Sequence, residues 1–368
     1  MGFFNSTSSE QVLTDALLAR QGRVRLENCV SSVDSIFKTV LKKDPRLLAF
    51  LGGYESSYKR TSLLQLMYDY NVNIKYQAYC PDSIDDVIID NGEWDIASIY
   101  TKGMPKEVTI VTTDIEGVVD KVDKETKKLT SCYEGLSGCN KQTCAFKELS
   151  TYIVFYLTYN YLLPIPKLRQ CQSRANFAAR NIWKKILGRA KVPPFVMPFL
   201  ANSYLAQETI YDQRAMDELE GNPEKMPSDP APHLAYGPLV EGRGICSGFA
   251  WAFKTLMDAV NVECICIGGL LKEDTSFGHI WNLVKIDGMF YHVDPTNGSK
   301  NEGVFVNALM QPDTMMRNTH IWDEKKYPQA HGMRFNYDFV EDFLAENGND
   351  FLANGANEKY FFPDQIIE

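Results

Sequence analysis

Three side chains suited to thiol-based acyl transfer follow one another along the second half of the chain: Cys246, His279 and Asp294. A cysteine attacks a carbonyl as its thiolate, and an ordinary thiol ionises only near a pKa of ~8.5. A histidine that takes the proton removes that obstacle. A carboxylate behind the histidine orients the ring and stabilises its charge. The residues around each of the three predict how they are positioned.

Glycines at 242, 244 and 248 surround Cys246, and Phe249, Ala250, Phe253, Leu256, Met257 and Val260 then recur at helical spacing. A helix is therefore expected to begin at or beside Cys246. The positive end of its dipole would favour a thiolate there, and the small neighbours would let a substrate backbone come close. Cys264 and Cys266, in the apolar strand that follows, read as packing residues.

His279 opens a strand that runs to Ile286, and Asp287-Gly288 predicts a tight hairpin into a second strand from Met289 to Asp294. A two-residue loop pairs Ile286 with Met289 and, counting outward, Trp281 with Asp294. His279 shares the face of Trp281, so Asp294 becomes its diagonal neighbour at ~7–8 Å between backbones, within side-chain reach. His292 is on the same face and is the rival base, but it sits mid-hairpin opposite Leu283. His233, His320 and His331 are expected in loops, serving solubility or local hydrogen bonding. The backbone N–H of Cys246 is a natural oxyanion donor. Tyr236, ten residues upstream, is a candidate second donor or site-shaping residue, or a packing tyrosine. Trp281 either shields the pair from water or belongs to the core.

The elements that carry these residues belong to a chain of 368 residues, long enough for two domains. Its 45% hydrophobic and 23% charged residues are an ordinary globular balance. A net charge of −9 argues against sequence-blind nucleic-acid binding, which needs a basic surface. The longest apolar run, Tyr152 to Pro166, is interrupted by Thr158, Asn160 and Pro164. It falls short of the ~20 residues of a membrane span. Nine scattered cysteines and an N-terminus without a basic-then-apolar leader favour the cytoplasm; a processed exported chain would lack that leader too. Cys132, Cys139 and Cys144 have neither zinc-site spacing nor nearby histidines, and no EF-hand loop is present. No metal and no cofactor are expected.

Helices are predicted up to about residue 45, and a strand by the alternation of Val72, Ile74 and Tyr76. Val108–Thr112 and Gly117–Val122 suggest paired strands, with Asp123–Lys128 a solvated charge run. From Asn176 to Asp212 the pattern is helical, broken at Pro193-Pro194, and a proline-rich loop leads from Gly221 towards Cys246.

The segments Ala235–Val262, Gly278–Asn297 and Asn307–Pro328, together with the lead-in Glu208–Asp212, resemble in that order the transglutaminase-like superfamily, particularly its bacterial members. The resemblance covers about residues 170–335 and leaves the first 150 without a relative. It implies an α+β, papain-like core, in which a nucleophile helix packs on an antiparallel sheet, with an N-terminal α/β extension. It also implies residues 1–165 as an N-terminal region, 166–340 as the catalytic domain and 341–368 as a tail. The implied activity is thioester chemistry on peptide or protein amides, with Cys246 as nucleophile, His279 as proton shuttle and Asp294 as its orienter. Hydrolysis by a cysteine peptidase or amidase and amine transfer by a transglutaminase both fit. So does a catalytically silent binding module that keeps the fold. Asn297 stands where many relatives carry a bulkier aromatic, which bears on the shape of the site rather than on its reacting groups.

Overall fold

The computed structural model describes residues 8–62, 66–78, 80–90, 107–130, 134–221, 225–297, 304–305, 307–364 and 366–367. Two compact units result: Met1–Thr126 with Gly138–Asn160, and Lys127–Ser137 with Tyr161–Glu368.

The first unit begins with α1 (Ser9–Leu18), β1 (Arg23–Cys29), α2 (Val33–Lys43), β2 (Leu51–Ser62) and β3 (Met67–Tyr76). The hydroxyls of Ser8 and Ser32 cap the two helices by accepting the N–H groups of Gln11 and Ser35. The strands form an antiparallel sheet in the order β1-β3-β2. Leu13, Leu17, Phe37, Val40 and Leu41 on the helices pack with Val72 and Ile74 on β3. A second sheet has the order β4-β5-β7-β6, from β4 (Val87–Ile89), β5 (Glu107–Thr112), β6 (Leu136–Ala145) and β7 (Ile153–Tyr161). Between β5 and β6 runs α3 (Ile115–Thr130), where the sequence suggested a second strand. The Asp114 carboxylate accepts the N–H of Gly117 at 2.9 Å and starts the helix. Val118 and Val122, four residues apart, are both buried on one helical face. Capping and spacing override the β-propensity of the valines.

The second unit opens with two helices, α4 (Ile165–Leu187) and α5 (Met197–Glu208), separated at Pro193 and Pro194 as expected. β8 (Ile210–Tyr211), α6 (Gln213–Gly221) and β9 (Arg243–Gly244) follow, with β8 and β9 paired in parallel. Then come α7 (Cys246–Ala259), β10 (Cys264–Leu271), β11 (His279–Ile286) and β12 (Met289–Val293). The chain ends with β13 (Val304–Phe305), β14 (Leu309–Gln311), α8 (Asp313–Met316), β15 (His320–Trp322), α9 (Tyr337–Ala353), α10 (Glu358–Phe361) and β16 (Ile366–Ile367), the last parallel to β13. Five strands make an antiparallel sheet in the order β14-β12-β11-β10-β15. Helix and antiparallel sheet together give this unit an α+β architecture.

Helix α7 lies at the centre of this unit. Its Phe249, Phe253, Leu256 and Met257 are fully buried with Trp183 of α4, Leu200 of α5, Cys264 and Cys266 of β10 and Val284 of β11. The indole of Trp183 donates to the Leu256 carbonyl at 2.7 Å. Val340, Leu344, Tyr360 and Phe361 of α9 and α10 belong to the same cluster, and Phe195 stacks on Phe335 at 4.8 Å. The last helices are therefore part of the core that holds α7. Leu344→Ala should destabilise this unit by about 2–5 kcal/mol, the usual result of emptying a buried leucine site. Thermal or urea unfolding of the variant measures it. Among the described residues no helix is long and apolar enough to cross a membrane.

Candidate active site

Cys246 is the first residue of α7. Ile245 before it is extended (φ −107°, ψ −178°) and its N–H is anchored on the Pro232 carbonyl at 3.0 Å. Phe249 is the first residue to bond back into the helix, onto Ile245 at 3.0 Å. The N–H groups of Cys246, Ser247 and Gly248 thus precede the helical ladder, next to the thiol. Gly248 serves packing here rather than the substrate access that its small size suggested. A Cβ on it would lie 2.2 Å from the Pro232 carbonyl oxygen. Three residues ahead of the cysteine, the Arg243 guanidinium meets Asp212 at 2.7 Å and Asp229 and Glu241 at 2.6 Å each. This clamp ties the approach to α7 to the segment after β8.

The hairpin forms in the expected register. Asp287 and Gly288 both take left-handed φ angles, +49° and +79°, as the two-residue turn requires. Ile286 faces Met289, and the ladder continues outward to Asn282 opposite Val293. One step further, His279 Nε2 lies 2.7 Å from Asp294 Oδ2, and Asp294 Oδ1 accepts the N–H of Thr296 at 2.9 Å. The Cys246 side chain lies near enough to the His279 ring to favour its charged form. His279 and Asp294 are thus paired, with the Cys246 side chain in the ring's surroundings.

The electrostatics follow from that pairing. Burial opposes a charged ring at His279, but the Asp294 charge and hydrogen bond, with the Cys246 contact, outweigh it and push His279 up to about 10. At Asp294, which is 2% exposed, burial alone would favour the neutral acid. The charge and hydrogen bonds of His279 and His320 hold it well below the usual carboxylate range instead.

The surroundings differ in part from the sequence reading. Trp281 is fully buried and lies nearly parallel to the His279 ring, with centroids 5.9 Å apart and planes at 22°. Its indole N–H donates to His292 Nδ1 at 3.0 Å, and His292 Nε2 pairs with Asp313 at 2.8 Å. Burial, only partly offset by Asp313, pushes His292 down to about 4. His292 therefore braces Trp281. His331 is exposed and bonds Gln329, as expected of a loop histidine. His233 and His320 are buried, and His320 opens β15 with its Nε2 3.1 Å from Asp294 Oδ2. No sequence spacing pointed to His320, since the pairing of β15 with β10 is long-range. Tyr236 is half-buried with its ring under the Arg174 guanidinium at 4.8 Å. Tyr211, at the end of β8, is a further residue of interest. Burial, and then the charges of Cys246, Glu220 and Asp294, raise its phenol above the ordinary value, so its side chain stands within electrostatic reach of these groups.

His279, Asp294 and His320 are the one set among the described residues with metal-ligand character, their donor atoms all within 4.8 Å of one another. The separations of 2.7 and 3.1 Å are hydrogen-bond lengths, and a metal there would need both nitrogens stripped of their protons. The set reads as proton-bearing. Of the cysteines weighed for zinc, Cys132 lies outside the described residues, and Cys144 accepts a hydrogen bond from Gln77 at 2.8 Å.

Among the solved structures similar to this chain are two. One is the crystal structure of a TGase, 13% identical with a TM-score of 0.25, matched over 58% of this chain and 59% of that one. The other is a candidate cysteine protease from Cytophaga hutchinsonii, 16% identical with a TM-score of 0.26, matched over 45% of this chain and 65% of that one. This chain spans less than two thirds of either structure. No protein-family model and no curated protein matches the sequence.

Proposed function

We infer that the protein is a cysteine-dependent enzyme that acts on peptide or protein amides through a thioester, on a papain-like, transglutaminase-like core. The observation that carries this reading is the grouping of Cys246, His279 and Asp294. A partly buried cysteine at a helix N-terminus stands near an imidazole whose Nε2 is held by a buried carboxylate. A histidine serving only the core would not need both a thiol and an ionised acid beside it.

In this mechanism the Cys246 sulfur, having given its proton to His279, attacks the amide carbonyl carbon. The carbonyl oxygen takes up the negative charge and is met by the Cys246 backbone N–H. Collapse of the tetrahedral intermediate expels the amine, which takes the proton back from His279. A thioester on Cys246 remains. Water or a second amine, deprotonated by His279, then releases the acyl group as an acid or a new amide. Asp294 keeps its charge throughout and holds the ring in the productive orientation. Tyr211 is the candidate for the second oxyanion donor, and Tyr211→Phe should lower kcat by about 10²–10³ with little change in KM.

The decisive assay offers a fluorescent primary amine together with glutamine-bearing and general peptide amides, with the products resolved by mass spectrometry. Amine incorporation or peptide cleavage that disappears in Cys246→Ala supports the enzyme. Absence of any acyl-thioester adduct or turnover over a broad peptide set would favour the silent scaffold.

A further inference from the structure

The carboxylate behind His279 serves a second imidazole. His320 Nε2 lies 3.1 Å from Asp294 Oδ2, the oxygen that also meets His279 Nε2 at 2.7 Å. An ionised carboxylate only accepts, so both facing nitrogens carry protons. Thr319 Oγ1 is 2.8 Å from His320 Nδ1 but 3.5 Å from the Met316 carbonyl. The hydroxyl gives His320 Nδ1 a polar partner of its own. With the Thr296 N–H on Oδ1, three donors from three separate segments hold one carboxylate.

The sheet makes this possible. β11 and β15 flank β10, with Gly269 opposite His279 and Leu271 opposite His320. A Cβ at Gly269 would lie 2.7 Å from the Trp281 ring, so the glycine leaves room for the indole that packs on both imidazoles. His320 itself is 2% exposed, which suits a supporting role and not contact with substrate.

The geometry points to His320 as a positioning residue for the His279–Asp294 pair, and its effect on rate rests on the thiol chemistry proposed above. Without the His320 N–H, the Asp294 carboxylate keeps one side-chain donor and one backbone donor. Its plane is freer to turn, and His279 loses its fixed aim at Cys246.

Three variants test this in the full chain. His320→Leu removes the donor, and His320→Gln keeps an N–H near the place of Nε2. Thr319→Val alters an exposed residue and removes the polar partner of His320 Nδ1 without touching the core. The readouts are the low-field Nε2–H proton of His279 in ¹⁵N-histidine-labelled protein, assigned by its loss in His279→Gln, and the pH profile of iodoacetamide alkylation at Cys246. Melting temperature serves as the folding control. In His320→Leu the resonance should move upfield and broaden, and alkylation should slow by about ten- to a hundredfold. His320→Gln should restore both, and Thr319→Val should shift the resonance partway. An unchanged resonance in His320→Leu and Thr319→Val overturns the inference. So does equal loss in the Leu and Gln variants at equal loss of melting temperature, which marks a packing role. If wild-type Cys246 is unreactive while the resonances respond as expected, the proposed function fails and the positioning role stands.

Discussion

Iodoacetamide at about pH 6.5, some two units below the ordinary thiol value of ~8.5, is expected to label Cys246 ahead of the other cysteines. The contrast rests on the site and on its competitors. Burial raises the thiols of Cys29, Cys80, Cys144, Cys171 and Cys264 above their ordinary value, which makes them slower at this pH. Cys246 is partly buried, stands at the start of a helix and lies near an imidazole that keeps its proton up to about 10. His279→Ala removes that cation and should slow Cys246 labelling by about 10²-fold or more, a loss in the range of acid–base partners generally. Peptide mapping after brief labelling reads both results. Labelling of all thiols at similar rates would remove the basis for the proposed function.

The second large effect is on stability. In the unfolded chain an imidazole titrates near ~6.5 and an aspartate near ~3.9. His279 is raised to about 10 in the folded protein, so its contribution is complete below about 6.5 and disappears as pH climbs through about 10. Asp294 is depressed, so its contribution is present above about 4 and is lost as pH falls below that. Stability of the second unit should therefore be greatest between roughly pH 4 and 6.5 and decline towards pH 10. Hydrogen exchange of the β11 and β12 amides across pH follows this unit specifically. His279→Gln should flatten the alkaline decline, while Asp294→Ala, which leaves a buried imidazolium unpaired, should cost about 3–5 kcal/mol near pH 6. A wild-type profile that stays level from pH 6.5 to 10 would contradict the charge pairing.

Much of this site was legible in the sequence because it is built from local order. The periodicity after Cys246 fixes a helix, and a helix start exposes N–H groups whatever surrounds it. Asp287-Gly288 fixes a two-residue turn, and the turn fixes the register that carries Asp294 back to His279. Residue type and spacing alone determined those contacts.

Tertiary structure decided the rest. His320 reaches Asp294 because β15 pairs with β10, a choice made among strands far apart in the chain and invisible to any local period. The burial of His292 against Trp281 and Asp313 depends in the same way on three segments meeting. Gly248 looked like an opening for substrate and proved to be the point where α7 rests on the Pro232 carbonyl. Residues 117–122 looked like a strand until a capping aspartate and a common apolar face made them helical. Backbone preferences and hydrogen-bonded turns act between near neighbours and are written in the sequence, whereas burial and long-range pairing depend on which surfaces meet, and only the folded chain settles that.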